Sequence, residues 1–128
     1  MFNFNQHVYL LVTKGRAKAT ELISNEYAEI SLPSSTHPRT LMGNFHKTEE
    51  AFKKIISKVA PKSFFKLSPV IYLHLFDEVE GDYTDIEVRA FKEAALGAGG
   101  RDVFMVNSRR TLTKEQLLGR VFVELEYA

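Results

Sequence analysis

Along the first third of the chain the apolar residues come in short runs, "MFNF", "HVYLLVT" and "EYAEISL", parted by turn-prone "KGR" and "SN". Runs of this length, rich in β-branched and aromatic residues and bounded by Gly, Asn and Ser, predict strands in an antiparallel meander. Its tightest hairpin is expected at Lys14-Gly15. "PSSTHPRT", which carries two of the four prolines, reads as a loop leaving the sheet. The period then changes. Over residues 48–60, Phe52, Ile55, Ile56 and Val59 recur at the i, i+3, i+4, i+7 spacing of one helix face, with Lys53, Lys54 and Lys58 opposite. Thr48 is expected to cap this helix, Glu49 and Glu50 to complement its positive dipole end, and Pro61 to stop it. "VIYLHLF", residues 70–76, has little polar relief, as a central strand buried on both faces should.

"TDIEVRAFKEAALGAGGRDVFMV", residues 84–106, reads as a capped helix, a glycine stop and a strand. Thr84 and Glu87 have capping-box spacing. Val88, Phe91 and Ala95 share one face, and Gly97 falls where a left-handed C-terminal cap favours a residue without Cβ. Glycines that cradle phosphate stand before a helix, where free N–H groups point at the anion. "GAGG" follows its helix, so it reads as a stop feeding the strand "DVFMV". A last short helix starts at Thr113, with Gln116 as a second capping-box partner, and ends at Gly119. "RVFVELEY" then alternates Val121, Val123, Leu125 and Tyr127 with Glu124 and Glu126, which predicts a strand with one buried face over residues 121–127. The expected order is three strands, helix, strand, helix, strand, short helix and strand, an α/β protein with a mixed sheet. No repeat or linker divides it, so residues 1–128 are read as a single domain.

Composition narrows the chemistry. With 128 residues the chain can bury one sizeable core. Seventeen Lys and Arg against 16 Asp and Glu leave a formal charge of +1, which supplies no global field for nucleic acid or an anionic membrane. There is no cysteine, so disulfides and thiolate chemistry are excluded. The first residues lack a basic start followed by an apolar run, and no apolar run reaches the length of a membrane span. A cytoplasmic, non-secreted protein is expected.

The stretch from "TDIEVRAFKEAALGAGGRDVFMV" back through "SFFKLSPVIYLHL" and "HPRTLMGNFHKTEEAFKKII" resembles the first subdomain of the MreB family of bacterial actins, in the actin-like ATPase superfamily. The likeness covers about residues 38–106, with weaker similarity before. It implies a ribonuclease-H-like fold and, for active members, ATP with magnesium held between two lobes. The family's early Asp-Leu-Gly-Thr hairpin matches Asn3, Phe4, Asn5 and Gln6 here when "LLVTKG" is set against the strand that follows it. Asn3 lacks the anionic oxygens magnesium favours, and Asn5 carries a Cβ where close backbone approach to phosphate needs none. Where the family has Glu-Glu-Pro, one Glu positioning water, this chain has Asn107, Ser108 and Arg109. The sequence ends near Ala128, where the family continues into further subdomains, and a one-lobed chain is expected not to enclose a nucleotide. A shared fold does not carry activity. The resemblance, with these changes, implies a non-catalytic protein-interaction or regulatory module without a cofactor, linked to cytoskeletal or envelope machinery. The alternative is a degenerate nucleotide or phosphate binder, or a fragment of an actin-like ATPase completed by another chain, using Asn3, Asn5, Gln6, Lys14 and Arg16.

Other constellations are weaker. Asp77, Glu78, Glu80, Asp82, Asp85 and Glu87 follow the central strand, but their spacing matches no calcium loop, and solvated loop or helix-dipole roles account for them. His74 lies in an apolar strand with no Ser or Cys beside it in sequence, which favours a satisfied structural histidine over a general base. Arg109, Arg110 and Lys114 form a small basic patch suited either to an anion or to solvent. Phe64, Phe65, Tyr72, Tyr83 and Phe91 have no dense basic groove beside them and read as core. The edge of the C-terminal strand is the expected contact for a protein partner or a second copy.

Overall fold

The computed structural model describes residues 5–32, 44–61, 67–76 and 83–125. Strands β1 (His7–Thr13), β2 (Arg16–Glu21) and β3 (Tyr27–Ser31) precede helix α1 (Phe45–Val59). Then come β4 (Val70–Leu75), α2 (Asp85–Gly97), β5 (Asp102–Asn107), α3 (Lys114–Leu118) and β6 (Val123–Glu124). All six strands form one mixed sheet in the order β3-β2-β1-β4-β5-β6. β1, β4 and β5 are parallel, while β2, β3 and β6 each run antiparallel to their neighbours.

Strand alternation sends Val8, Leu10 and Val12 of β1, Ile71, Leu73 and Leu75 of β4, and Val103 and Met105 of β5 to one face. There they meet Phe52, Ile55, Ile56 and Val59 of α1 and Val88, Phe91, Ala94 and Ala95 of α2 in the main core. Phe52 and Phe91 join the two helices, ring centroids 6.5 Å apart. The other face carries Tyr9, Val70, Tyr72 and Val106, packed with Leu22 and with Leu117 of α3 in a second, smaller core. β4 is buried along its whole length, as its unbroken apolar run requires.

Several local expectations hold. Both capping boxes form: Thr84 Oγ1 accepts from Glu87 N at 3.1 Å, and Thr113 Oγ1 from Gln116 N at 3.2 Å. Others are corrected. "MFNF" lies outside the described residues, and the middle strand of the meander is "RAKATE". Its burial rests on Ala17 and Ala19, too small to stand out as an apolar period. α1 starts four residues earlier than a Thr48 cap would place it, with Asn44 as its cap accepting from Lys47 N at 3.0 Å. Thr48 is fully buried inside the helix, its hydroxyl donating to Asn44 O, so Glu49 and Glu50 sit beyond the first residues they were expected to occupy.

In "GAGG", Gly97 is the last helical residue, and Gly99, at φ +114°, is the residue past the cap. Gly99 N–H donates to Leu96 O and Gly100 N–H to Ala95 O, the paired bonds of a glycine-terminated helix. The stop is real but two residues later than the spacing suggested. α3 ends in the same way with Arg120, at φ +55°, in the glycine position.

The C-terminal strand is shorter than its alternation predicts. β6 has two residues, and Val121 and Val123 are 67% and 66% exposed, whereas Phe122 and Leu125 pack inward. The turn after α3 delays the strand, and the Phe122 ring, set edge-on to Tyr72 and Phe104, fixes which side faces in. Tyr127 lies outside the described residues.

Candidate functional site

In sheets with parallel strands, ligands gather at the carboxyl ends of those strands. Here β1 runs into the Lys14-Gly15 turn, β4 into Phe76, whose N–H donates to Val12 O, and β5 into Asn107 and Ser108. Just behind this rim, His74 is fully buried. Its Nε2 lies 2.8 Å from Ser108 O, and a carbonyl only accepts, so Nε2 carries the proton. Nδ1 of the neutral ring must then accept, which makes Tyr9 Oη the donor across 2.6 Å. Tyr9 Oη in turn accepts from Leu112 N at 3.2 Å. Every polar atom in the chain Leu112–Tyr9–His74–Ser108 is matched. Burial lowers the His74 pKa, with the Ser108 carbonyl opposing, and raises that of Tyr9, with the Leu112 bond opposing. Both groups are thus held neutral as a structural tie between β1, β4 and the segment after β5.

Ser108 is also spent on its own turn: its hydroxyl donates to Arg110 O at 2.8 Å and accepts from Arg110 N at 3.1 Å. Asn107, Arg109 and Arg110 are exposed. Of the acidic stretch, residues 77–82 lie outside the described residues. Asp85 Oδ1 accepts from Ile86 N, and Glu87 completes the cap of α2. Among the described residues no three His, Cys, Asp or Glu side chains come together as a metal site.

The residues of the nucleotide-binding alternative fall at two ends of the sheet. Asn3 lies outside the described residues. Asn5 and Gln6 stand just before β1. Asn5 Oδ1 accepts from Arg101 Nη2 at 3.1 Å, and buried Gln6 donates through Nε2 to Leu67 O at 3.2 Å and to Pro61 O at 3.4 Å. Lys14 follows the far end of β1, about 26 Å away along an extended strand at ~3.3 Å per residue. The structure does not bring Lys14 together with Asn5 and Gln6. The first hairpin turn among the described residues is Lys14-Gly15, and exposed Arg16 beside it pairs with Glu29 at 3.5 Å.

One polar centre has no sequence signal of its own. Glu21, 4% exposed, accepts from His7 N at 2.8 Å through one carboxylate oxygen and from Ile23 N and Ser24 N, at 3.0 and 2.8 Å, through the other. It anchors the β2–β3 turn to the start of β1. Nearby, His7 Nδ1 lies 3.1 Å from Tyr72 Oη, and the Arg120 guanidinium stacks 4.3 Å from the Phe104 centroid. Burial lowers the His7 pKa, Glu21 opposing and Arg101 and Arg120 reinforcing. An alternating pattern reveals none of these pairings, which depend on register between distant segments.

The sheet has two ends. β6 follows β5 through the pairs Val106↔Glu124 and Asn107↔Val123, and Leu125 N–H donates to Met105 O at 2.9 Å. Alternation of antiparallel bonds therefore turns the N–H of Val123 toward β5 and that of Glu124 outward. At the other end β3 carries exposed Tyr27, Glu29 and Ser31. The chain matches no protein-family model, and no curated protein matches its sequence.

Proposed function

We propose that the chain is a non-catalytic protein-interaction module of MreB-like, ribonuclease-H-like lineage, working in the cytoplasm beside cytoskeletal or envelope machinery. The strand order β3-β2-β1-β4-β5, with β2 antiparallel and α1 and α2 packed on one face, supports the lineage. The observation that carries the functional reading is the employment of the residues in the nucleotide positions. Asn5 and Gln6 tie the start of β1 to Arg101 and Leu67, and Ser108 holds His74 and its own turn. These groups maintain the fold, leaving the sheet edge as the surface for contact.

The β6 edge is the binding surface in this reading. Exposed Val121 and Val123 precede the outward-turned backbone of Glu124, and an added strand, from a partner or a second copy, would gain main-chain bonds there. Proline at Val123 removes a donor to β5 and loosens β6; proline at Glu124 removes only the outward donor. Sedimentation should show association lost in Glu124→Pro while the circular dichroism stays that of the parent. A folded Glu124→Pro protein with unchanged association overturns the edge. Magnesium ATP followed by amide shifts tests the lineage-based alternative: saturable shifts over the Lys14-Gly15 turn and Arg16, or hydrolysis above background that Ser108→Ala abolishes, would favour a nucleotide binder.

A further inference from the structure

Glu21 N–H donates to Glu26 O at 2.8 Å, and Leu32 N–H to Gly15 O at 2.9 Å. Antiparallel pairing alternates, so these two bonds set the phase of β3. Ala28 and Ile30 turn their backbone groups to β2, while those of Tyr27, Glu29 and Ser31 point away from the sheet. Alongside runs a stripe of α1: Lys47, Glu50, Ala51 and Lys54 stand at i, i+3, i+4 and i+7, one face of a helix. With Ile30 and Lys53 they line an open groove of about 470 Å³. Its floor is apolar, from Ile30 and Ala51, and its walls hold three lysines against one glutamate.

The geometry points to this groove as a docking site for an extended, acidic segment of a partner protein, bound as a seventh strand on β3. The outward N–H and C=O groups match a polypeptide backbone, which fixes the segment's direction and register. Its side chains alternate, so every second one faces α1. Small apolar residues there cover Ile30 and Ala51, and carboxylates reach Lys47, Lys53 and Lys54. The charge pattern selects against basic segments as well as for acidic ones. This surface lies at the opposite end of the sheet from β6 and does not rest on the lineage or on the β6 contact.

The test titrates the whole, isotopically labelled chain with a short acetylated peptide repeating glutamate, threonine, valine and threonine, which puts glutamates and valines on one face of the bound strand. Saturable amide shifts are expected at Tyr27, Glu29 and Ser31 and along the exposed face of α1, with hydrogen exchange of those three strand amides slowed by the peptide. Lys47→Glu combined with Lys54→Glu, both exposed positions, should weaken binding about tenfold or more, and added salt should weaken it in the parent. Four results would overturn the proposal: no saturable shift at these amides; equal binding by the peptide with lysine in place of glutamate; equal shifts and the same lysine dependence with a single-stranded oligonucleotide; or slow exchange of Tyr27, Glu29 and Ser31 in the free protein, which would mean the edge is already paired. Shifts confined to β6 would assign the peptide to the other edge and likewise count against this one.

Discussion

Replacing Tyr9 with Phe deletes one oxygen from the buried chain that joins β1 to the segment after β5. Two partners lose their match: His74 Nδ1, which sits 2.6 Å from that oxygen, and Leu112 N–H, at 3.2 Å. The ring itself is retained, so packing against Leu117 and Val106 is little changed. Each orphaned buried group costs ~1–3 kcal/mol, partly offset because the hydroxyl no longer has to be desolvated, so Tyr9→Phe should cost about 2–4 kcal/mol. Against a domain stability of roughly 5–15 kcal/mol that is a large loss, on the order of 10 °C in melting temperature. Urea unfolding measures the first and calorimetry the second. The same ring can be read directly: the His74 nitrogen resonances should report Nε2–H and unprotonated Nδ1 at neutral pH. Because burial depresses its folded pKa below 6.5, the unfolded chain takes up this proton first as pH falls. The His74 contribution is therefore full above about 6.5 and declines as pH drops through 6.5 toward the folded value. His7, also depressed by burial, adds to the same decline and titrates as a separate resonance. A Tyr9→Phe protein as stable as the parent, or a His74 ring protonated on Nδ1 at neutral pH, would refute the assigned network.

Thr84→Ala should cost about 1 kcal/mol in urea unfolding by breaking the reciprocal cap of α2, with the far-ultraviolet spectrum unchanged. Gly100→Ala should cost roughly 1–3 kcal/mol, because its Cβ would stand 2.7 Å from Ile71 Cδ1 and 3.0 Å from Ala95 O in packed core. Gly97→Ala, whose Cβ would meet only the flexible end of the Glu49 side chain, should be neutral to slightly stabilising by melting temperature. Arg120→Ala keeps the left-handed backbone while losing the stack on Phe104, so it should lower stability by ~0.5–1 kcal/mol, and Arg120→Gly should recover most of that in the same denaturant series.

What the sequence reveals about this fold follows the range of the interactions involved. The buried stripe of α1 and the caps at Thr84 and Thr113 depend on residues three or four apart, so the order of the residues alone makes them legible. β2 escapes notice because alanine buries a position without adding much apolar signal. The start of α1 is misread because Thr48, a good cap by type, turns its hydroxyl back into the preceding turn, and Asn44 supplies the cap. At the candidate site the limit is sharper. His74 is recognisable as an odd residue in an apolar strand, but Tyr9, its partner 65 positions earlier, becomes its neighbour only through the parallel pairing of β1 with β4. Glu21 gives no sign at all, since a carboxylate in a polar run looks solvated until three backbone donors converge on it.

The two ends of the sheet differ in chemistry, and that difference bears on how copies of this chain could meet. A contact between two β6 edges is isologous and closes at a dimer, whereas β6 of one copy on β3 of the next is head-to-tail and has no built-in stop. Natural sheets guard against such growth by charging an edge. β3 shows that pattern: Arg16 pairs with Glu29, Lys18 Nζ lies 4.9 Å from the Tyr27 ring centroid, and Lys47, Lys53 and Lys54 stand over the groove. The β6 edge offers exposed Val121 and Val123 together with the exposed carboxylate of Glu124, so the β3 lysines do not by themselves turn away β6 of another copy. The lysines that would select an acidic segment disfavour a basic strand, so the guard they provide is against basic edges. β3 is thereby guarded against basic strands while it stays suited to an acidic one.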